Sequence, residues 1–210
     1  MKVTHVLIAA NVAVYLWVVV SSGGRVNLVS GFQDDQSFLA YGALYGPLVM
    51  QGQWWRLVSS AFLHDGLMHI GLNMFALWQV GSFVEAALGP VRMLLIYAAA
   101  MVGSGLAVVY FSYGQPTVGA SGAIFGLFGA LLAIGLRYGS RGRSLVAQTV
   151  PIILINLVFT FSVASISKAA HVGGLVVGIC AGLLLFTQRV AQDVRYAGEP
   201  GDAEAPEARR

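Results

Sequence analysis

The sequence predicts an all-α polytopic membrane protein: six transmembrane helices, with one long loop between the first and second that carries interfacial helices. Three observations carry this prediction. Of 210 residues, 57% are hydrophobic and 10% charged, where a soluble globular domain carries about 25% charged residues; the mean hydropathy is +0.75. Apolar runs at about 4–22, 67–88, 92–112, 119–137, 146–163 and 169–188 each approach the about 20 residues that span a bilayer as a helix. Lys and Arg stand between these runs with a one-sided distribution.

The first run, in "MKVTHVLIAANVAVYLWVVVSSGG", has the lysine and the trailing small residues of a signal peptide. Its apolar stretch from Val3 to Ser22 is nearer a full span than the 7–15 residues of a signal core, so it is expected to be a retained first helix. The connection from Gly23 to Gly66 contains "YGPLVMQGQWWRLVSSAFLH", rich enough in Trp, Tyr and Leu to place short helices at the membrane interface. The second run opens with "HIGLN", the fourth with "GASGAIFG" and the sixth with "AHVGGLVVG". No formal charge occurs from Met93 to Leu136. These runs place one membrane domain at about 1–190; the polar segment 191–210, rich in Ala, Glu, Pro and Gly, is expected to be a disordered cytoplasmic tail.

The net charge of +3 does not imply nucleic acid, because the basic residues are scattered between spans and read as topology signals. With the N-terminus cytoplasmic, Lys2, Arg92, Arg137, Arg141, Arg143, Arg189, Arg195, Arg209 and Arg210 lie inside, and Arg25, Arg56 and Lys168 outside, nine against three. Both termini are therefore expected in the cytoplasm. The excess of Arg over Lys and the compact form point to a bacterial plasma membrane. Cys180 is the sole cysteine, which excludes an intramolecular disulfide. Nothing in the sequence specifies an oligomeric state.

Depth follows from the helical rise. Ser121 precedes Arg137 by sixteen residues, His171 precedes Arg189 by eighteen and His69 precedes Glu85 by sixteen. At 1.5 Å per residue they sit ~24, ~27 and ~24 Å above the cytoplasmic ends of their helices. Three chemically capable side chains on three helices thus share one level just below the outer surface. Gly122, Gly126 and Gly129 make a face without side chains on the fourth span, and Gly174, Gly178 and Gly182 follow His171 on the sixth. If these small-residue faces meet, Ser121 comes near His171. Taken alone, Ser121 reads as a packing residue and Asn73 as interhelical glue. An intramembrane histidine is costlier and points to function.

Serine and histidine at one level are the minimum for nucleophilic acyl transfer. The Ser121 amide and the side chains of His69 and Asn73, at i and i+4 of one helix, would supply oxyanion donors. No carboxylate is available at depth to orient the histidine, so the expectation is a Ser121–His171 dyad. The zinc-protease pattern HEXXH is missing, no pair of aspartates lies within the spans, and Ala123 breaks the G-x-S-x-G elbow. His64, Asp65 and His69 lack a metal-ligand spacing, and no metal or cofactor is expected. A small transporter would show broken helices or paired charges at mid-depth.

The residues carry a resemblance. Trp55 and Arg56 in the long loop, "HDGLMHIGLN" with His69 and Asn73, "GASG" with Ser121 and "AHVGGLVVG" with His171 stand in the order of the rhomboid intramembrane serine proteases, and the chain resembles that family over nearly all but its tail. The resemblance implies a rhomboid-like six-helix bundle with a water-filled cavity opening outward, Ser121 as nucleophile, His171 as base, and His69, Asn73 and Gly119 around the oxyanion. It also implies supporting roles for Phe125, Gly122, Gly174, Gly178, Trp55 and Arg56. Phe125 stands where many family members carry tyrosine, so ring stacking on the histidine is kept and a phenolic hydrogen bond is lost. The implied partners are transmembrane protein substrates, cut near the outer boundary of the bilayer. The alternative is a catalytically silent relative that binds membrane proteins as a chaperone. Span five, with Phe159 and Phe161, and the segment "SVASISKAA" are candidate gate and lid.

Overall fold

The computed structural model describes residues 2–186; the tail expected at 191–210 lies outside the described residues. The six expected spans are present as α1 (Val3–Ser21), a composite second helix over Leu67–Leu88, α7 (Pro90–Phe111), α8 (Ser121–Arg137), α9 (Arg143–Ser162) and α10 (Lys168–Leu185). The second helix consists of α5 (Leu67–Ala76), one π-helical turn at Leu77–Gly81 and α6 (Ser82–Leu88). Five of these are long and apolar enough to cross a membrane, and α8, with 17 residues, is shorter. Local chemistry sets the ends. Gly66 and Gly89 precede their helices at φ +86° and +83°, where a side chain would be strained. Pro90 occupies the first turn of α7, where its missing N–H costs nothing, and the Ser167 hydroxyl caps α10 by accepting from the Ala170 amide at 3.2 Å.

The long connection folds into short pieces: a two-residue antiparallel ladder of β1 (Val26–Asn27) with β2 (Gly31–Phe32), then α2 (Asp35–Tyr41), α3 (Gly46–Met50), α4 (Arg56–Ser59) and a 3₁₀ turn at Ser60–Phe62. The ladder is an addition to the expected all-helical architecture. Asp34 caps α2 by accepting from Ser37, and these bonds hold its carboxyl below the usual carboxylate range. Arg56 is buried and spends its donors inside the loop, on Gln53 Oε1 (2.8 Å) and the carbonyls of Leu39 (2.9 Å) and Ala43 (2.8 Å), with its guanidinium 4.6 Å from the Trp55 ring. Next to Ala43, Leu44 exchanges two 2.9 Å backbone hydrogen bonds with Thr117. The loop thereby holds the segment leading into α8 extended, and α8 begins at Ser121 rather than at the expected residue 119.

The interior of the bundle is α8, buried all round and packed most heavily on α10 and then α7. Glycine makes that closeness possible. A side chain at Gly174 would meet the carbonyl oxygen of Gly122, and one at Gly178 that of Gly126, so the two helices touch backbone to backbone. On α1, Leu7, Asn11, Tyr15 and Val18 form the buried face, with the Tyr15 hydroxyl donating to the Leu28 carbonyl. The least buried of the five long helices is α9.

Candidate active site

Short length is what sinks Ser121. Seventeen residues rise ~25 Å, less than the ~30 Å of a hydrocarbon core, so with the C-terminal end of α8 at one membrane boundary its first residue ends below the opposite one. Ser121 opens that helix, so its amide is one of the first-turn donors without an intrahelical acceptor, at the positive end of the helix dipole. Its Oγ lies 2.7 Å from Nε2 of His171. His171 is brought there from the first turn of α10 by the Gly122–Gly174 contact one turn below. The imidazole is buried and stacked on Phe125, centroids 4.2 Å apart at 18°.

His69 reaches the same point from the first turn of α5. Its Nδ1 accepts from the Asp65 amide at 3.3 Å, which assigns the proton to Nε2. That Nε2 faces Gly119. Gly119 has φ +120°, donates its own amide to Ser60 O at 2.8 Å, and leaves vacant a space where a Cβ would stand 2.7 Å from His69 Nε2 and 3.8 Å from Ser121 Oγ. Its contribution is therefore room rather than a donor. Asn73 lies below His69, buried, with one N–H given to the His69 carbonyl at 3.0 Å and a second still free to donate. His64 packs edge-on against His69 (5.1 Å, 67°), and burial pushes it down to about 3, so it stays neutral beside the site. Asp65 lies in the loop before α5, with its carboxylate accepting from the Phe32 amide at 2.9 Å. Among the described residues, no group of three His, Cys, Asp or Glu side chains converges on a metal position.

A cavity of about 1220 Å³ contains these groups. It reaches Ser121, His171, His69 and Asn73 at one end and continues between the second helix and α9 as far as Phe83 and Leu145. Phe159 and the segment Val163–Ser167 line it, whereas Phe161 faces away and is exposed. Trp55 and Arg56 do not line the cavity; Arg56 bonds to the Ala43 carbonyl, next to the Leu44–Thr117 bridge.

Sequence reasoning missed one neighbour. Thr160, near the end of α9 and almost fully buried, places Oγ1 2.7 Å from Nδ1 of His171 and 2.7 Å from the Asn156 carbonyl. A threonine late in a membrane helix reads as back-bonded filler, and nothing in the pattern of span five singles it out.

A family model described as the Rhomboid domain matches residues 51–188. The chain is 38% identical over 183 residues to the Rhomboid protease GluP of Bacillus subtilis, covering 87% of this chain and 34% of that protein. It is 35% identical over 151 residues to the mitochondrial RHOMBOID-like protein 6 of Arabidopsis thaliana, covering 70% and 49%. With the Rhomboid protease GlpG of Yersinia pestis it shares 36% identity over 130 residues, covering 60% and 46%. The chain thus spans about a third to a half of the length of these relatives.

Proposed function

The chain belongs to the rhomboid family of multi-pass membrane proteins, and we propose that it is an intramembrane serine endopeptidase that cuts single-span membrane proteins near the outer face of a bacterial plasma membrane, with both its termini in the cytoplasm. The observation that carries the reading is the 2.7 Å contact of Ser121 Oγ with His171 Nε2 at the sunken start of α8.

The reaction runs by acyl transfer. Ser121 Oγ attacks the scissile carbonyl as its proton passes to His171 Nε2. The oxyanion forms beside the Ser121 amide, His69 Nε2–H and the free Asn73 N–H, donors fixed before the charge appears. His171 then gives its proton to the leaving amine, and a water admitted through the outer opening, activated by the same imidazole, hydrolyses the acyl-enzyme. Binding of the substrate in the cavity between the second helix and α9 excludes bulk water from the remainder of the path.

The test is incubation of the reconstituted protein with a panel of single-span substrates, beside Ser121→Ala and His171→Ala, together with labelling by a fluorophosphonate. Cleavage and labelling by the wild type, both lost in Ser121→Ala, are the expected result. A wild type that neither cleaves nor labels would make the chain the silent, binding relative.

A further inference from the structure

We propose that Thr160 is a positioning residue that sets the tautomer of His171, taking the place of the carboxylate that the membrane interior does not supply. The inference rests on the reading of His171 as the base, and it follows from counting protons along three contacts. A threonine hydroxyl has one proton and two lone pairs, and a backbone carbonyl has none to give. Thr160 Oγ1 lies 2.7 Å from Asn156 O and 2.7 Å from His171 Nδ1. Two bare oxygens do not rest 2.7 Å apart, so the hydroxyl proton sits on the Asn156 contact. Toward Nδ1 the hydroxyl then offers only a lone pair, and Nδ1 must carry the ring proton.

The consequence lies at the other nitrogen. With Nδ1 protonated, the neutral ring has its lone pair on Nε2, aimed at Ser121 Oγ 2.7 Å away, the one arrangement in which it can receive the serine proton. The same Nδ1–H bond persists when the ring becomes imidazolium, so Thr160 holds the ring's orientation through the proton transfer. His69 has the opposite tautomer, with Nδ1 accepting from the Asp65 amide and Nε2–H free to donate. The two histidines of the site are therefore assigned opposite roles by one neighbour each.

Among the described residues, no carboxylate hydrogen-bonds to the imidazole. The ionisable groups around it are Ser121 on α8 and His69 on α5; Lys168, on α10 itself, is exposed, α9 carries Arg143 at its far end, and Arg92, Tyr97 and Tyr110 of α7 make no bond to it. A neutral acceptor fixes the tautomer without the charge that would raise the ring's basicity.

The experiment compares Thr160→Val, which keeps the shape and loses the hydroxyl, with Thr160→Ser, which keeps the hydroxyl, and Thr160→Asp, which adds a charge. Loss of one hydrogen bond to the reacting base lowers kcat ~10–100-fold, so Thr160→Val is expected to show that fall with KM unchanged, and Thr160→Ser to remain within a few-fold of wild type. Thr160→Asp is expected to move the acid limb of the kcat/KM profile to higher pH. Nitrogen-15 NMR of ring-labelled wild type, with His171 assigned by difference from His171→Gln, is expected to show protonated Nδ1 and bare Nε2. This readout needs no turnover and no folded variant at position 160. Bare Nδ1 in the wild type, or a Thr160→Val enzyme within twofold of wild-type kcat, would overturn the inference. In both cases an inactive Ser121→Ala beside an active wild type would leave the protease reading standing.

Discussion

Substituting Gly119 by alanine tests how closely the oxyanion region is fitted. The new Cβ would stand 2.7 Å from His69 Nε2 and 2.9 Å from Cε1, where ordinary contact begins at 3.4 Å. The ring must therefore withdraw by about 0.7 Å, a displacement on the scale that costs up to ~10²-fold when it misplaces a reacting or stabilising group. Withdrawal is opposed by the Asp65 amide on Nδ1 and by His64 packed on the ring, so movement also loosens the bond that assigns the donor proton to Nε2. Loss of one oxyanion donor lowers turnover ~10²–10³-fold, and Gly119→Ala is expected to fall in that range. A side chain at φ +120° adds about 1–3 kcal/mol of backbone strain, visible as a lower melting temperature in detergent. The assay is cleavage of a single-span substrate by Gly119→Ala, His69→Ala and the double variant, with fluorophosphonate labelling of Ser121 as a control for the nucleophile. The double variant should be little worse than His69→Ala, because the clash has no ring left to displace. A folded Gly119→Ala within threefold of wild type, or a double variant a further ~10²-fold below His69→Ala, would refute the reasoning.

Gly178→Ala drives a methyl against the Gly126 carbonyl and should destabilise the bundle by at least about 1–3 kcal/mol, read from thermal unfolding in micelles; an unchanged melting temperature would mean that α8 and α10 are not in backbone contact. Glu85→Ala strips the first turn of α1 of its acceptor and should cost about 1–2 kcal/mol, with faster proteolysis near residue 3 and no change in the pH dependence of cleavage. Asn73→Ala should slow turnover strongly while Ser121 still labels, and combined with His69→Ala should lose less than the product of the single effects, since both serve one oxygen. In a Cys180→Ser background, a cysteine at position 141 should resist an impermeant thiol reagent in intact cells and one at position 52 should react; the reverse pattern would invert the topology.

The spans were legible because each apolar run closes its own backbone hydrogen bonds, so length and hydropathy suffice to find it. The meeting of α8 with α10 was legible for a related reason: Gly122 and Gly126, Gly174 and Gly178 repeat at helical spacing, and a face without side chains has few uses in a bilayer other than contact. What escaped was pairwise and long-range. Thr160 and His171 are ordinary residues until α9 sets them side by side, and the Leu44–Thr117 bridge joins two segments with no pattern of their own. The start of α8 was misplaced by two residues because apolar content continues through Val118 and Ala120, while the backbone of Gly119 is committed to Ser60 and to a positive φ.

The carboxylate of Glu85 accepts from the amides of Val3 (2.8 Å) and Thr4 (2.9 Å) and from the Thr4 hydroxyl (2.6 Å). Helix α1 is thus capped by a residue made 81 positions after Thr4. As the chain leaves the ribosome, α1 can enter the bilayer on its hydropathy alone, and the His5 and Val6 amides already have the Lys2 carbonyl, but the Val3 and Thr4 amides do not meet Glu85 until the second span has been synthesised and has turned back to the same face. Insertion and fastening of α1 are therefore separate events in time, and the second span completes the first helix as well as its own.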